Sequence, residues 1–352
     1  MVKIDLITGF LGSGKTTFIR KYAKYLIDQG YNIGILENDY GAINVDMMLL
    51  SDLMGDKCEL EMISGGCDKE THRRRFRTKL IAMGMCGYDR VLVEPSGIYD
   101  VDEFFDVLRD EPLDRWYEIG NVFTIVDAAL EENLSDASKY LLASEVADAG
   151  TVILSKVQNT APEMITKTIS TLNEALAQVK CNRNINNHCV FAKNWDILTD
   201  DDFKALMQAG YVQESYVKQD IAEADAFTSL YFMNLDFTKT QLKLTVEKLF
   251  NDTSCGNIFR IKGFIEAENE IISPSENPAS KNSVSDSIEN NQNSDYRGTV
   301  SEKSNNPSKI HWLELNATKN EMTFKPAPDG QKVLIVIGEY LKKAAIEAYF
   351  KI

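Results

Sequence analysis

Short apolar runs alternate with longer stretches whose apolar positions fall three and four apart, from the start of the chain to about position 210. Ile4, Leu6 and Ile7 read as a buried strand, and Phe18, Ile19, Tyr22 and Leu26 as one face of a helix that stops at Gly30. The same pattern predicts strands at 31–36, 88–97, 122–128, 151–158 and 188–193. Between them it predicts helices at about 70–84, with Phe76, Leu80 and Met83 inward, and at about 101–109, 137–149 and 163–179. Strands alternating with helices imply a mostly parallel sheet, doubly wound, with helices on both faces.

The pattern changes in the second half. Strands are expected at 229–235, 256–265, 310–315 and 332–337, with an amphipathic helix at 240–250 and another at the end of the chain. Residues 273–309 are rich in Ser, Asn and acids and poor in apolar residues, so disorder is expected there. This half reads as a small α+β domain carrying a loose insert, and no internal repeat is visible.

The stretch that changes the picture is the loop after the first strand. Gly9, Gly14, Lys15 and Thr16 fit G-x-x-x-x-G-K-[ST] without mismatch, between a strand and a helix as the motif requires. The glycines, with Gly12 and Ser13 between them, let backbone N–H groups approach a phosphate chain, and the helix N-terminus adds partial positive charge. Lys15 is expected to reach the β- and γ-phosphates, and Thr16, followed by Thr17, to ligate Mg²⁺ through its hydroxyl. The domains are then a P-loop NTPase domain at 1–210, a linker at 211–227 and the α+β domain at 228–352.

Acids cluster at predicted strand ends. Glu37, Asp39 and Asp46 follow the second strand, where open α/β sheets bind ligands, and carboxylates there suit Mg²⁺ held directly or through water. The stretch 88–97 ends in Glu94, Pro95, Ser96 and Gly97: Glu94 is expected to polarise water or support Mg²⁺, and the Gly97 N–H to meet the γ-phosphate. The expected catalytic set is Lys15, Glu94 and Asp39.

Size, charge and cysteines set limits. The 352 residues suffice for about two domains, and a formal net charge of −15 argues against a nucleic-acid surface. No run of about eighteen apolar residues suggests a membrane span, and the N-terminus reads as a strand rather than a signal peptide. Six irregularly spaced cysteines read as free thiols, so a cytoplasmic protein is expected. One of them, Cys67, follows Gly65 and Gly66 and precedes Glu70, His72 and the arginines 73, 74, 75 and 77. Those arginines read either as an arginine finger, in cis or across a dimer, or as a solvated, partner-binding face.

Together, Gly9 to Thr17, Glu37-Asn38-Asp39 with Gly41 and Asp46, Glu94 to Gly97, Val126-Asp127-Ala128, and the stretch 260–264 resemble the CobW-like branch of P-loop GTPases, relatives of the metallochaperones UreG and HypB. The resemblance spans nearly the whole chain outside 273–309. It implies slow, Mg²⁺-dependent GTP hydrolysis coupled to delivery of a transition metal or metallocofactor to a client metalloprotein or cofactor enzyme, and it suits a nucleotide-dependent homodimer.

Two departures bear on this. The family carries C-x-C-C where this chain keeps Cys67 but has Lys69 and Glu70. Three thiolates make a soft zinc site; Cys67 with Glu70, His72 or Asp68 makes a mixed one, and a chain that binds no transition metal there fits a metal-free nucleotide-driven activator. A metal sensor or store with structural nucleotide is a further alternative, and a small-molecule kinase another. The family also has N-K-x-D at the base pocket, where this chain has Ser155, Lys156, Val157 and Gln158. Losing the Asp carboxylate removes charge-assisted bonds worth about 1.5–3 kcal/mol each, and so lowers guanine preference by roughly ten- to a hundred-fold. The resemblance implies GTP, and Gln158 leaves ATP open, with the Lys156 stem packing over the base.

Overall fold

The computed structural model describes residues 1–10, 12–39, 49–64, 69–95, 101–130, 134–218, 228–267, 312–327 and 330–351. In the first half, β1 (Val2–Thr8), β2 (Ile33–Asp39), β3 (Cys58–Ser64), β4 (Arg90–Glu94), β5 (Tyr117–Asp127), β6 (Thr151–Ser155) and β7 (Val190–Phe191) form one sheet. Its order is β3-β2-β4-β1-β5-β6-β7 and every pairing is parallel. The helices are α1 (Lys15–Asp28), α2 (Lys69–Gly84), α3 (Val101–Arg109), α4 (Leu113–Trp116), α5 (Asp136–Ala147), α6 (Pro162–Gln178) and α7 (Asp200–Leu206). The strands that follow β1 split, β2 to β4 on one side of it and β5 to β7 on the other, so the loop after β1 lies at the topological switch point where such sheets bind ligands.

The apolar periodicity explains the packing. Phe18, Ile19, Tyr22 and Leu26 of α1 are fully buried, packing with Phe123 of β5 and Phe203 of α7. The other face of the sheet carries Phe76 and Leu80 of α2, Phe104 of α3 and Leu172 of α6. Each such side chain contributes about 1.5–3 kcal/mol by leaving water. At the far end of the sheet from the loop, buried Asp5 accepts hydrogen bonds from Arg90, from the Tyr22 hydroxyl at 2.9 Å and from the Asn121 backbone N–H at 2.8 Å. That carboxyl ties three strands and α1 together.

In the second half, β8 (Thr228–Met233), β9 (Asn257–Glu266), β10 (Trp312–Thr318), β11 (Met322–Ala327) and β12 (Val333–Glu339) form an antiparallel sheet of order β11-β10-β9-β12-β8. The helices α8 (Lys239–Asn251) and α9 (Lys343–Phe350) cover one face, packing Leu242, Val246 and Ile346 on Ile261, Leu315 and Val336. Register puts Arg260, Asn316, Thr318, Thr323 and Lys325 together on the opposite face.

The sheet has one strand more than the periodicity suggests: Cys58–Ser64 is an edge strand that pairs only with β2. The expected strand at 188–193 shrinks to two residues, and β11 lies where the apolar pattern predicts no strand. The expected disorder at 273–309 lies outside the described residues. Residues 211–218 run against the first half, where the Val217 N–H bonds to the Val179 carbonyl and the Tyr216 hydroxyl to Asp102.

The two sheets meet at the loop after β1. Phe10 packs edge-on against Phe259 of β9 with centroids 5.5 Å apart, and Ser138 of α5 donates to buried Glu339 at the end of β12 at 2.8 Å. Among the described residues no helix is long and apolar enough to cross a membrane.

Candidate functional site

The loop after β1 forms a cradle. Gly9, Gly12 and Gly14 have φ of +145°, +78° and +104°. A Cβ at Gly9 would sit 2.3 Å from the Ile125 carbonyl oxygen, so only glycine lets the loop leave β1 this close to β5. The buried Lys15 ammonium donates to the Gly9 carbonyl at 2.8 Å, spanning the loop from inside. The Ser13 hydroxyl is buried and has no hydrogen-bond partner among the described residues. Thr16 donates its hydroxyl to Glu94 Oε1 at 3.0 Å.

Glu94 is buried at the carboxyl end of β4, directly opposite Glu37 of β2 in register, and Glu37 is buried too. A threonine hydroxyl beside two buried carboxylates is a hard oxygen donor set, which fits Mg²⁺. Asp39 ends β2, and only its backbone is described. Gly97, Asp46 and Cys67 lie outside the described residues.

The cleft in front of the cradle has two adjoining parts. One, of about 420 Å³, is lined by Gly12, Lys15, Thr16 and Glu94 and, across from them, by Arg260 and Lys325. The other, of about 250 Å³, is lined by Ser13, Thr17, Lys156, Gln158 and Trp195, with Glu321 and Lys325 across from them. Lys156 has φ +56° and holds Asp127 at 2.8 Å and Glu321 at 3.4 Å. The Trp195 indole donates to the Leu154 carbonyl at 3.1 Å and lies against Gly14.

Two features around the loop escape the motif reading. Trp195 closes one side of the smaller part of the cleft from a turn that carries no motif. Glu145 of α5 is fully buried beneath the loop: Oε1 accepts from Thr8 at 3.3 Å, and Oε2 has no hydrogen-bond partner among the described residues. Burial pushes this carboxyl up to about 8, against the opposing pull of Lys15, the Thr8 hydroxyl and the Gly9 N–H. An acid inside the apolar run of α5 is the signal that marks it in the sequence.

Of the expected metal residues after β3, Glu70 and His72 are not brought together. Glu70 is exposed in the first turn of α2, while His72 is fully buried on its inner face with Nδ1 4.0 Å from Glu103 of α3. Residues two apart on a helix point to different faces. No group of three or more His, Cys, Asp or Glu able to hold a metal is present among the described residues. Arg73 and Arg77 turn towards Asp110, at 3.5 and 4.0 Å, and neither lines the cleft.

Residues 3–186 match the nucleotide-binding domain of CobW, HypB and UreG. The zinc chaperone YeiR of Escherichia coli is 30% identical over 164 residues, which is 46% of this chain and 49% of the relative. The zinc chaperone YjiA of the same organism is 28% identical over 167 residues, 44% of this chain and 49% of the relative. The chain thus spans about half the length of the curated relatives it matches. Among solved structures, the Zn(II)-bound YjiA GTPase of E. coli aligns with 99% of this chain and 98% of that one at 19% identity, with a TM-score of 0.33, too low to carry an argument. Matched over more than half its length, the chain belongs to the CobW/HypB/UreG family, with residues 3–186 as its nucleotide-binding domain.

Proposed function

We propose that the chain binds and slowly hydrolyses a purine nucleoside triphosphate, GTP in the first place, and couples that cycle to handing a transition-metal ion to a client protein. The observation that carries the nucleotide half is the cradle itself. Lys15 rests on the Gly9 carbonyl, and Thr16 is already held by Glu94. A phosphate chain replaces the carbonyl as partner of the Lys15 ammonium, exchanging a neutral acceptor for a charged one. Loop amides and the start of α1 take the remaining phosphate oxygens. Thr16, with Glu94 and Glu37 nearby, would hold Mg²⁺, whose chemistry is to offset charge on the phosphate oxygens. Glu94 orients the attacking water, and Lys156, Gln158 and Trp195 form the base side.

The metal half rests on the family and on the zinc chaperones the chain resembles. Cys67 is its candidate thiolate, and Glu70, three positions on in the sequence, is exposed. The divergence of Glu70 and His72 favours a second reading, in which nucleotide drives remodelling of a client and no transition metal is carried.

Chelator-treated protein dialysed against Zn²⁺ with Mg²⁺ and GTP, GDP or ATP separates them. Delivery predicts about one Zn²⁺ per chain, tighter in one nucleotide state and lost in Cys67→Ala. Absence of nucleotide-dependent Zn²⁺ binding contradicts delivery and leaves the activator reading.

A further inference from the structure

Arg260 and Lys325 stand on a different sheet from the phosphate cradle, yet both line the part of the cleft that contains Lys15, Thr16 and Glu94. The approach is close: a Cβ on Gly12 would lie 3.1 Å from Thr318 Cγ2 and 3.9 Å from Arg260 Cδ. Arg260 Nε donates to Asn316 Oδ1 at 2.9 Å, which fixes the plane of the guanidinium on the sheet face turned to the loop. Lys325 makes no ion pair among the described residues, although Glu314 is its register partner. Arg260 is confined to the Lys15–Glu94 part, whereas Lys325 lines both parts.

The acids here are Glu94, Asp52 and Glu314, and the remaining cation, Arg20, is spoken for by Asp52. A chain with a net charge of −15 therefore gathers cations from two sheets at the one place where a polyanion would lie.

We infer that Arg260 is a cis-acting arginine of the hydrolytic site, contacting the phosphate chain from the C-terminal sheet, and that Lys325 steers and holds the same phosphates. In hydrolysis the water oxygen bonds to the γ-phosphorus while the bond to the β–γ bridging oxygen breaks. A proton of the water passes to a γ-phosphate oxygen, so that the group leaves as inorganic phosphate, and negative charge accumulates on the leaving diphosphate. A guanidinium facing that oxygen offsets the charge as it forms, the part an arginine finger plays in related phosphoryl transfer. The C-terminal sheet is then a component of the site, and hydrolysis changes what it is bound to. This rests on the nucleotide reading above.

The test is single-turnover GTP hydrolysis, with GTP and GDP affinities from fluorescent analogues, on full-length wild type, Arg260→Ala, Arg260→Lys and Lys325→Ala. Arg260→Ala is expected to slow hydrolysis by about 10²-fold or more while GDP affinity changes by less than about threefold, because its contact is made chiefly in the transition state. Arg260→Lys restores charge without the fork and recovers only part of the rate. Lys325→Ala, at an exposed position safe for folding, is expected to weaken GTP more than GDP and to flatten the salt dependence of GTP binding. If wild type binds no nucleotide, both the functional reading and this inference fall. If wild type binds and hydrolyses GTP and the folded variants match it in rate and in the GTP-to-GDP affinity ratio, this inference alone falls. Should Arg260→Ala fail to fold, an unchanged ratio in Lys325→Ala together with wild-type turnover in Arg260→Lys overturns it.

Discussion

Glu145 is a carboxyl buried beneath the glycine loop, and burial raises it to about 8, so it holds its proton near neutrality. An ordinary carboxyl in the unfolded chain titrates near 4.5. The folded state therefore holds a proton that the unfolded state releases. The resulting stability is fully present below about pH 4.5 and is lost as pH rises towards 8, by at most about 1.4 kcal/mol per pH unit. Glu145→Gln keeps the Thr8 bond without the titration. Its stability relative to wild type, from urea denaturation, is expected to climb between pH 5 and 8 and then level off; a flat difference contradicts the assignment. That Lys15, Thr16 and Glu94 lie together was legible, because motif spacing places the first two and an apolar strand ending in an acid places the third. Glu145 and Trp195 were not, because the contacts that give them meaning join residues 137 and 41 positions apart. His72, expected with Cys67 in a mixed metal site, is buried because it falls on the face that carries Phe76 and Leu80.

At the scale of elements, most of the fold was legible where apolar periodicity is strong, as in α1, β4, β5 and α3. Edge strands were not. In Cys58–Ser64 the alternation of Cys58 and Leu60 with Glu59 and Glu61 is the half-buried pattern of an edge, masked by the glycine pair that follows. β11 is short, alternates Met322 and Phe324 with Thr323 and Lys325, and contains Pro326, which is tolerated along an edge. The glycine loop is the element whose shape matters most. Gly12→Ala puts a side chain at φ +78° and 3.1 Å from Thr318 Cγ2. We expect a loss of about 1–2 kcal/mol from the left-handed backbone plus a steric remainder. Only the remainder is recovered in the Gly12→Ala, Thr318→Ala double variant, read by chemical denaturation. A neutral Gly12→Ala contradicts the contact between loop and β10.

At the scale of the molecule, one sheet supplies the cradle and the other the opposite wall, joined by Phe10 on Phe259, Ser138 on Glu339 and Lys156 on Glu321. The sequence separated the two regions by their change of pattern, but the face that one turns to the other follows from register and packing that periodicity does not encode. Under the proposed function, a nucleotide held between the two sheets would link phosphate state to a surface far from the loop in sequence. The most direct measurement is hydrogen exchange of the full chain with and without a non-hydrolysable GTP analogue and Mg²⁺. We predict protection at the loop 9–17 and also in β10 and β11, absent in Lys15→Ala. Protection limited to the loop, or equal in Lys15→Ala, would contradict a nucleotide held between the two sheets.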